Sequence, residues 1–140
     1  GRITEDFGVR ARMVEKRLRK GAGILRDAVP PLRYGPPDAA TAVVCWGSTV
    51  GAVREAVSLL GRDDTAVLYF RQVHPIPPGT AGLLAKASRV IVVENNATGQ
   101  FARRLALDAG RTADEKILKY DGTPFSVEEL RSRIGKVLES

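Results

Sequence analysis

The sequence predicts an α/β domain in which helices cover both faces of a mainly parallel sheet. Strand-like and helix-like segments alternate from Ala42 to the C-terminus, and the loops between them are short. The run Val90–Val93 is continuously apolar and mostly β-branched, which is typical of a strand buried on both faces of a parallel sheet. Right-handed crossovers between such strands give a three-layer αβα sandwich.

The N-terminal part predicts a basic helical arm followed by a linker. Residues 8–20 have helical periodicity, but their apolar positions are sparse, so this helix would be marginal alone. Those positions are Val9, Met13, Val14 and Leu18. Residues 21–40 are rich in glycine and proline and predict a linker that contains one short edge strand, Leu32–Tyr34. We therefore expect an arm and linker at residues 1–29 and a folded domain at residues 30–140.

The positive charge of the chain is concentrated in this arm. Residues 1–20 contain seven basic and three acidic residues and so carry four of the six net positive charges of the chain. Such an arm could bind nucleic acid or a membrane surface. No aromatic residue alternates with the basic ones, which argues against single-stranded nucleic acid. We favour a solvated helix that packs on a partner, and expect neither nucleic acid nor a membrane as that partner.

The remaining residues predict four strands and four helices in alternation. The predicted strands are Ala42–Trp46, Thr65–Arg71, the run that ends at Glu94, and Lys116–Tyr120. The predicted helices run from Val50 to about Gly61, from Thr80 to Ala87, from Phe101 to Ala109 and from Val127 to Val137. Asp121-Gly122 predicts a turn, and Ser126 with Glu129 forms a capping box before the last helix.

Composition excludes several classes of protein. A length of 140 residues fits one core, and no apolar run approaches the roughly 20 residues that span a bilayer. The N-terminus has no apolar segment of a signal peptide, so we expect a cytoplasmic location. Cys45, the single cysteine, lies in an apolar run and is expected in the core, where it forms neither a disulfide nor a metal site. Without an initiator methionine, the chain is expected to be a piece of a longer polypeptide.

Two polar loops follow the predicted strands at the edge of the sheet where ligands and partners usually sit. Gly47-Ser48-Thr49-Val50-Gly51 opens a helix and could bind phosphate, but it is neither a dinucleotide fingerprint nor a P-loop. We favour a purely structural role, in which Gly47 and Gly51 permit a tight turn and close packing of helix against strand.

The second loop runs from Glu94 to Gln100. Glu94, Asn95 and Asn96 supply a carboxylate and two amides, which could bind a ligand or could cap the next helix and fix a subunit interface. Thr98, or an asparagine before it, is the candidate N-cap. We favour the structural and interface roles.

A hydrolytic triad of Ser48, His74 and Glu94 is not supported. Ser48 lacks the Gly-x-Ser-x-Gly elbow, and lone His74 precedes a proline in a bend, where a hydrogen-bonded loop histidine is expected. No acid–base pair with a nucleophile emerges elsewhere. We therefore predict no catalytic, cofactor-binding or metal-ligating residue in this chain.

Four sequence blocks, in order and spacing, resemble the C-terminal part of the alpha subunit of 2-oxoacid:ferredoxin oxidoreductases, most closely the 2-oxoglutarate type. They are Cys45–Ala56, Phe70–Pro77, Val92–Gln100 and Lys119–Phe125, and the third, with its Glu-Asn-Asn-x-Thr-Gly-Gln pattern, is the most diagnostic. Gly1–Asp6 and Met13–Lys20 resemble the segment that precedes this domain.

The resemblance implies a domain like the C-terminal domain of transketolase, with a five-stranded mixed sheet that has one antiparallel strand, and with Leu32–Tyr34 as the fifth strand. It also implies an enzyme complex that oxidatively decarboxylates a 2-oxoacid such as 2-oxoglutarate, forms acyl-CoA and reduces ferredoxin. The complex would use thiamine diphosphate, Mg²⁺, an iron–sulfur cluster and CoA, none of them held by this fragment. Its partners would be the remaining alpha-subunit domains, the beta subunit and ferredoxin, and the isolated piece could form a homodimer.

We therefore predict an assembly domain that is not catalytic alone, with a free-standing nucleotide- or phosphate-binding domain as the alternative. The residues expected to organise the loops or contact neighbouring domains are Gly47, Ser48, Thr49, Gly51, Glu94, Asn95, Asn96, Thr98, Gly99 and Gln100.

Overall fold

Five strands form one sheet, and helices pack on both of its faces. The computed structural model describes residues 3–140, so Gly1 and Arg2, which the sequence analysis assigned to the arm, lie outside the described residues. The helices are α1 (Phe7–Arg26), α2 (Val50–Leu60), α3 (Thr80–Leu84), α4 (Gln100–Ala109) and α5 (Val127–Glu139). The strands are β1 (Leu32–Tyr34), β2 (Thr41–Trp46), β3 (Thr65–Phe70), β4 (Arg89–Glu94) and β5 (Glu115–Leu118).

The sheet has the order β1-β3-β2-β4-β5. β2 is central and pairs in parallel with β3 and β4, and β5 pairs in parallel with β4. β1 is antiparallel to β3, with Arg33 opposite Leu68, so the predicted mixed sheet and its single antiparallel strand are confirmed. Because β2, β3, β4 and β5 point the same way, the loops that follow them meet at one edge, which we call the carboxyl edge.

Alternate residues of the central strands supply two separate hydrophobic cores. Ala42 and Val44 of β2 face the layer that contains α3 and α4, where Phe101 and Leu105 are buried. Val43 and Cys45 face the opposite layer, in which α2 and α5 pack. Burial on both faces explains the continuously apolar strands, and the predicted three-layer αβα class is confirmed.

The first helix is longer than predicted and lies outside both cores. α1 begins after Asp6, whose carboxylate accepts a hydrogen bond from the Val9 amide at 2.9 Å, and it continues through Gly21 and Gly23 to Arg26. The predicted linker at residues 21–40 is therefore helical in its first part. Each glycine costs a helix about 1 kcal/mol, too little to end it when Ala22, Leu25 and Arg26 favour helix. No residue of α1 is buried.

Three predicted elements end earlier in the structure, and the predicted cap of α5 is half formed. β3 ends at Phe70 rather than Arg71, α3 at Leu84 rather than Ala87, and β5 at Leu118 rather than Tyr120. The Ser126 hydroxyl accepts a hydrogen bond from the Glu129 amide at 3.1 Å, as a capping box requires. The Glu129 carboxylate instead accepts from the Lys119 ammonium at 2.6 Å and the Arg133 guanidinium at 3.2 Å.

No helix within residues 3–140 combines the length and apolar character needed to cross a membrane.

Candidate interface at the carboxyl edge

The two polar loops singled out in the sequence are neighbours, because β2 and β4 lie side by side and end at the same edge. A side-chain contact joins them where the strands end. The Trp46 indole N–H donates to Oε2 of Glu94 across 3.4 Å, a long hydrogen bond. Trp46 was not among the predicted site residues. The sequence feature that could have indicated Trp46 as a site residue was its position directly after the last buried residue of β2.

Glu94 is fully buried and caps α4 from the end of β4. Its Oε2 accepts hydrogen bonds from the Phe101 amide at 2.8 Å and from Nδ2 of Asn96 at 2.7 Å, besides Trp46. Its Oε1 accepts from the Ala102 amide at 3.0 Å. All four partners are donors, and both oxygens of the side chain accept. A negative group at a helix N-terminus also interacts favourably with the helix dipole.

Asn96 holds the loop that leads into α4. Its Oδ1 accepts hydrogen bonds from the backbone amides of Thr98, Gly99 and Gln100, at 3.2, 2.7 and 3.2 Å. Gly99, rather than Thr98 or an asparagine, occupies the N-cap position. Asn96 and Glu94 therefore share the amides that one N-cap side chain would otherwise satisfy.

Gly99 is required by the shape of this loop. Its φ of 63° lies in the left-handed region, where a side chain is strained. A Cβ atom there would lie 3.2 Å from Cδ of Lys116 and 3.7 Å from Oε1 of Glu94. The contact with Lys116 would be tight, whereas 3.7 Å from Glu94 is an ordinary van der Waals distance, so the left-handed φ is the main reason for glycine here.

The loop after β2 is a short 3₁₀ turn that runs directly into α2. Gly47 opens it with a φ of 61°, and the Thr49 hydroxyl closes it by donating to the Trp46 carbonyl at 2.7 Å. A Cβ atom at Gly47 or Gly51 would have no atom within 4 Å, so the expected close packing of helix against strand at these glycines is wrong. Gly51 instead lines a groove beside α2 with Tyr34 and Arg54.

A third loop, after β5, completes the carboxyl edge. Nδ2 of Asn95 donates to the Thr123 carbonyl at 3.4 Å, and the Asp121 carboxylate accepts from the Thr123 amide at 2.9 Å. These bonds to backbone groups hold the loop next to the one that follows β4. The adjacent Tyr120 is 74% exposed, an unusual exposure for a large aromatic side chain.

The candidate residues divide into buried supports and an exposed surface. Glu94, Thr49 and Gly99 are buried, and Asn96 is partly buried. The exposed ones are Gly47, Ser48, Gly51, Asn95, Thr98 and Gln100. None of the exposed side chains is charged, so the candidate residues present neutral polar groups to solvent.

His74 and Glu94, two members of the rejected triad, contact other residues and not each other. Nδ1 of His74 lies 2.8 Å from a guanidinium nitrogen of Arg104, within hydrogen-bonding distance. The oxygens of Glu94 bond to α4, Trp46 and Asn96. His74 and Arg104 border a shallow cavity of about 320 Å³ over Trp46 and Phe101.

The residues available for a metal or cluster are few. Within residues 3–140, no three His, Cys, Asp or Glu side chains converge as metal ligands do. Cys45 is buried in the core as predicted, and this burial raises the pKa of its thiol to about 12. Its thiolate, the form that binds metals, is therefore disfavoured.

Comparison with known proteins places this architecture in context. No family model matches the chain. The alpha subunit of 2-oxoacid:ferredoxin oxidoreductase 1 from Sulfurisphaera tokodaii is 29% identical over 143 residues, which is 99% of this chain and 23% of that protein. The alpha subunit of enzyme 2 from Aeropyrum pernix is 30% identical over 148 residues, which is 100% of this chain and 23% of that protein. This chain is homologous to a segment of these alpha subunits. It spans less than a quarter of their length.

Two solved structures are similar to this chain. The 2-oxoglutarate:ferredoxin oxidoreductase from Magnetococcus marinus, solved with 2-oxoglutarate, coenzyme A and succinyl-CoA bound, superposes with a TM-score of 0.82. The match is 24% identical and covers 97% of this chain and 24% of that one, so it supports the fold alone. The alpha chain of a probable 2-oxoacid ferredoxin oxidoreductase from Thermoplasma acidophilum is 28% identical with a TM-score of 0.55. It covers 79% of this chain and 98% of its own length.

Proposed function

We propose that this alpha-subunit segment is an assembly domain of a thiamine-diphosphate-dependent 2-oxoacid:ferredoxin oxidoreductase. In this proposal the loops of the carboxyl edge contact neighbouring domains and do no chemistry. The observation that carries the proposal is the internal capping of α4 by Glu94. A helix N-terminus at this edge is where an α/β domain commonly binds an anionic ligand, and here the chain's own carboxylate fills it.

The whole enzyme would oxidatively decarboxylate a 2-oxoacid such as 2-oxoglutarate, form acyl-CoA and reduce ferredoxin, in the cytoplasm. This part of the proposal is supported by the names of the relatives and not by a site in this chain. The partners of the segment would be the remaining alpha-subunit domains and the beta subunit, with ferredoxin as the acceptor of the complex. The isolated segment would be inactive.

The residues of this chain do not fit two of the cofactors that the proposal requires. An iron–sulfur cluster takes four thiolates, whereas the chain has only Cys45, which is buried in the core. Mg²⁺ takes several oxygen ligands, and residues 3–140 contain no converging acidic cluster. The cluster and Mg²⁺ are therefore assigned to other parts of the complex, and we propose the same for thiamine diphosphate and CoA.

We also propose a division of the chain into an arm and linker, residues 1–29, and a domain, residues 30–140. The lack of any buried residue in α1 supports this boundary.

The alternative, a free-standing nucleotide- or phosphate-binding domain, finds no support at the N-terminus of α4, although the N-terminus of α2, after the Gly47–Gly51 loop, has no side-chain cap. The amides of Gly99, Gln100, Phe101 and Ala102 already bond to Asn96 or Glu94, so they have no hydrogen left for a phosphate. Titration calorimetry of this chain with a nucleotide or CoA tests the alternative. Heat of binding at millimolar ligand would favour it over the assembly role.

The assembly role is tested in an alpha subunit that carries this domain and is co-expressed with its beta subunit. We expect Asn95→Ala combined with Gln100→Ala to weaken assembly, measured by size-exclusion chromatography, and to lower 2-oxoacid turnover in proportion. Asp63→Ala, an exposed residue at the opposite edge of the sheet, is the matched control. If the double variant assembles and turns over like the parent enzyme, the interface role is wrong.

A further inference from the structure

Within residues 3–140, no other element buries the apolar seam that runs along α1. Six residues recur at spacings of four, three, four, three and four, the repeat by which one helix packs along another in a coiled coil. Phe7, Leu18 and Leu25 in this seam are 85%, 70% and 42% exposed. A folded chain seldom leaves such large side chains in line and in water. The seam consists of Phe7, Ala11, Val14, Leu18, Gly21 and Leu25.

The rest of α1 is strongly basic. Between Phe7 and Arg26 the helix has seven Arg or Lys residues and a single acidic one, Glu15. By helical geometry, Arg10 and Arg17 border one side of the seam, and the other basic residues lie farther round the helix. A partner that covers the seam therefore meets Arg10 and Arg17 along one side.

We propose that α1 packs its seam against an acidic amphipathic helix on the surface of another protein. The apolar seam would be buried between the two helices, and acidic side chains of the partner would face Arg10 and Arg17. This inference goes beyond the assembly role of the carboxyl edge, because it uses none of the residues at that edge.

A second copy of the chain fits this surface less well. Two copies of α1 would place Arg10 and Arg17 of each helix beside the shared seam, with a single Glu15 on each helix to offset them. Like charges placed together across an interface are unfavourable. Gly21 in the seam further weakens a helix that would have to support a dimer by itself.

An anionic membrane also fits less well than a helix. Half of the seam consists of small residues, namely Ala11 and Gly21, or of the short side chain of Val14. Small residues bury little area in lipid, but they let another helix approach closely. A helix that lies in a membrane surface instead presents a broad face of large apolar side chains.

The experiment uses the full chain and two synthetic helical peptides of about three heptads. Both carry leucine at their seam positions; one has glutamate beside the seam and the other has lysine. We expect fluorescence anisotropy to show at least about tenfold tighter binding of the glutamate peptide, and we expect this affinity to fall as salt is added. Equal affinities for the two peptides, or no binding of either, would overturn the proposal.

Variants of the chain locate the contact. Leu18→Gln should weaken binding of the glutamate peptide, whereas Val9→Gln, the same kind of change on the opposite side of α1, should not. Arg10→Glu combined with Arg17→Glu should reverse the preference towards the lysine peptide. Since no α1 residue is buried, these variants should keep the thermal unfolding midpoint of the parent chain. Failure of the charge exchange to alter the preference contradicts the proposal.

Two further measurements distinguish the proposed helical partner from a second copy of the chain and from a membrane. Sedimentation equilibrium of the full chain should show a monomer, and a dimer abolished by Leu18→Gln would replace the proposed partner with a second copy. Flotation with phosphatidylcholine–phosphatidylglycerol vesicles should leave the chain unbound. Binding to the vesicles with no preference between the peptides would favour a membrane instead.

Discussion

Glu94 acts as a helix cap although it lies at the end of the preceding strand. Its side chain passes beneath Gly99, reaches the amides of Phe101 and Ala102, and holds Asn96 in place. The sequence indicates a polar loop here but not which polar side chain turns inward. Glu94 reaches the amides of Phe101 and Ala102 only when α4 packs over the end of β4, and that arrangement depends on tertiary packing.

Replacing Glu94 by glutamine tests this role. Both carboxylate oxygens accept hydrogen bonds, and an amide would place its own N–H₂ group against a donor on one side. We expect Glu94→Gln to lower the free energy of unfolding by roughly 1–3 kcal/mol, the cost of a buried unsatisfied donor. Urea denaturation measures the loss. Glu115→Gln, at an exposed position of β5, is the control and should be close to neutral.

At the scale of elements, α1 is the part of the chain that contributes least to the cores. None of its residues is buried, and Val29, just beyond it, is fixed by a hydrogen bond from its amide to Oε1 of Gln72 at 3.2 Å. We expect removal of residues 1–26 to leave the thermal unfolding midpoint unchanged, as differential scanning calorimetry would measure. A marked drop in the midpoint would mean that α1 packs on the domain in solution.

Leu130→Ala in α5 is the contrasting change at the same scale. Leu130 is fully buried between α5 and the sheet, so its truncation is expected to cost about 2–5 kcal/mol.

The elements differ in how far local sequence determines them. The strands at Ala42 and Val90 were predicted because a run of β-branched residues has few alternatives to a buried strand. The last part of α1 was missed, since Gly21 and Gly23 indicate a linker by composition and yet cost the helix little. The packing role expected of Gly51 was wrong, because the distance from a helix to the sheet beneath it depends on larger side chains elsewhere in the layer.

For the molecule as a whole, acid stability follows from carboxylates held by nearby donors. The Arg62 guanidinium hydrogen-bonds Asp64 and lowers the pKa of that carboxyl from 3.8 to about 2. The Lys119 ammonium likewise lowers the pKa of Glu129, and the Thr123 amide lowers the pKa of Asp121. Folding then favours the deprotonated forms, so this contribution to stability is complete at neutral pH and is lost as the pH falls through the folded-state pKa values.

The Asp64 contribution can be isolated. It should disappear between about pH 3.8 and pH 2. We therefore expect Asp64→Asn to flatten the dependence of the unfolding midpoint on pH within this window, as circular dichroism would measure. Asp63→Asn changes the neighbouring exposed residue and serves as the control. An unaltered slope in Asp64→Asn would show that the Arg62 contact does not persist in solution.

The capping of α4 from within also affects the energetics of association at the carboxyl edge. An open helix N-terminus would hold water or a buffer anion, and a docking partner would have to displace it. Here folding has already removed the Glu94 carboxylate from solvent. The free-energy cost of dehydrating it is therefore not part of the binding free energy of a partner. A partner that covers this loop releases water from neutral amides and hydroxyls only, and the affinity of that contact should not depend on which anion the buffer contains.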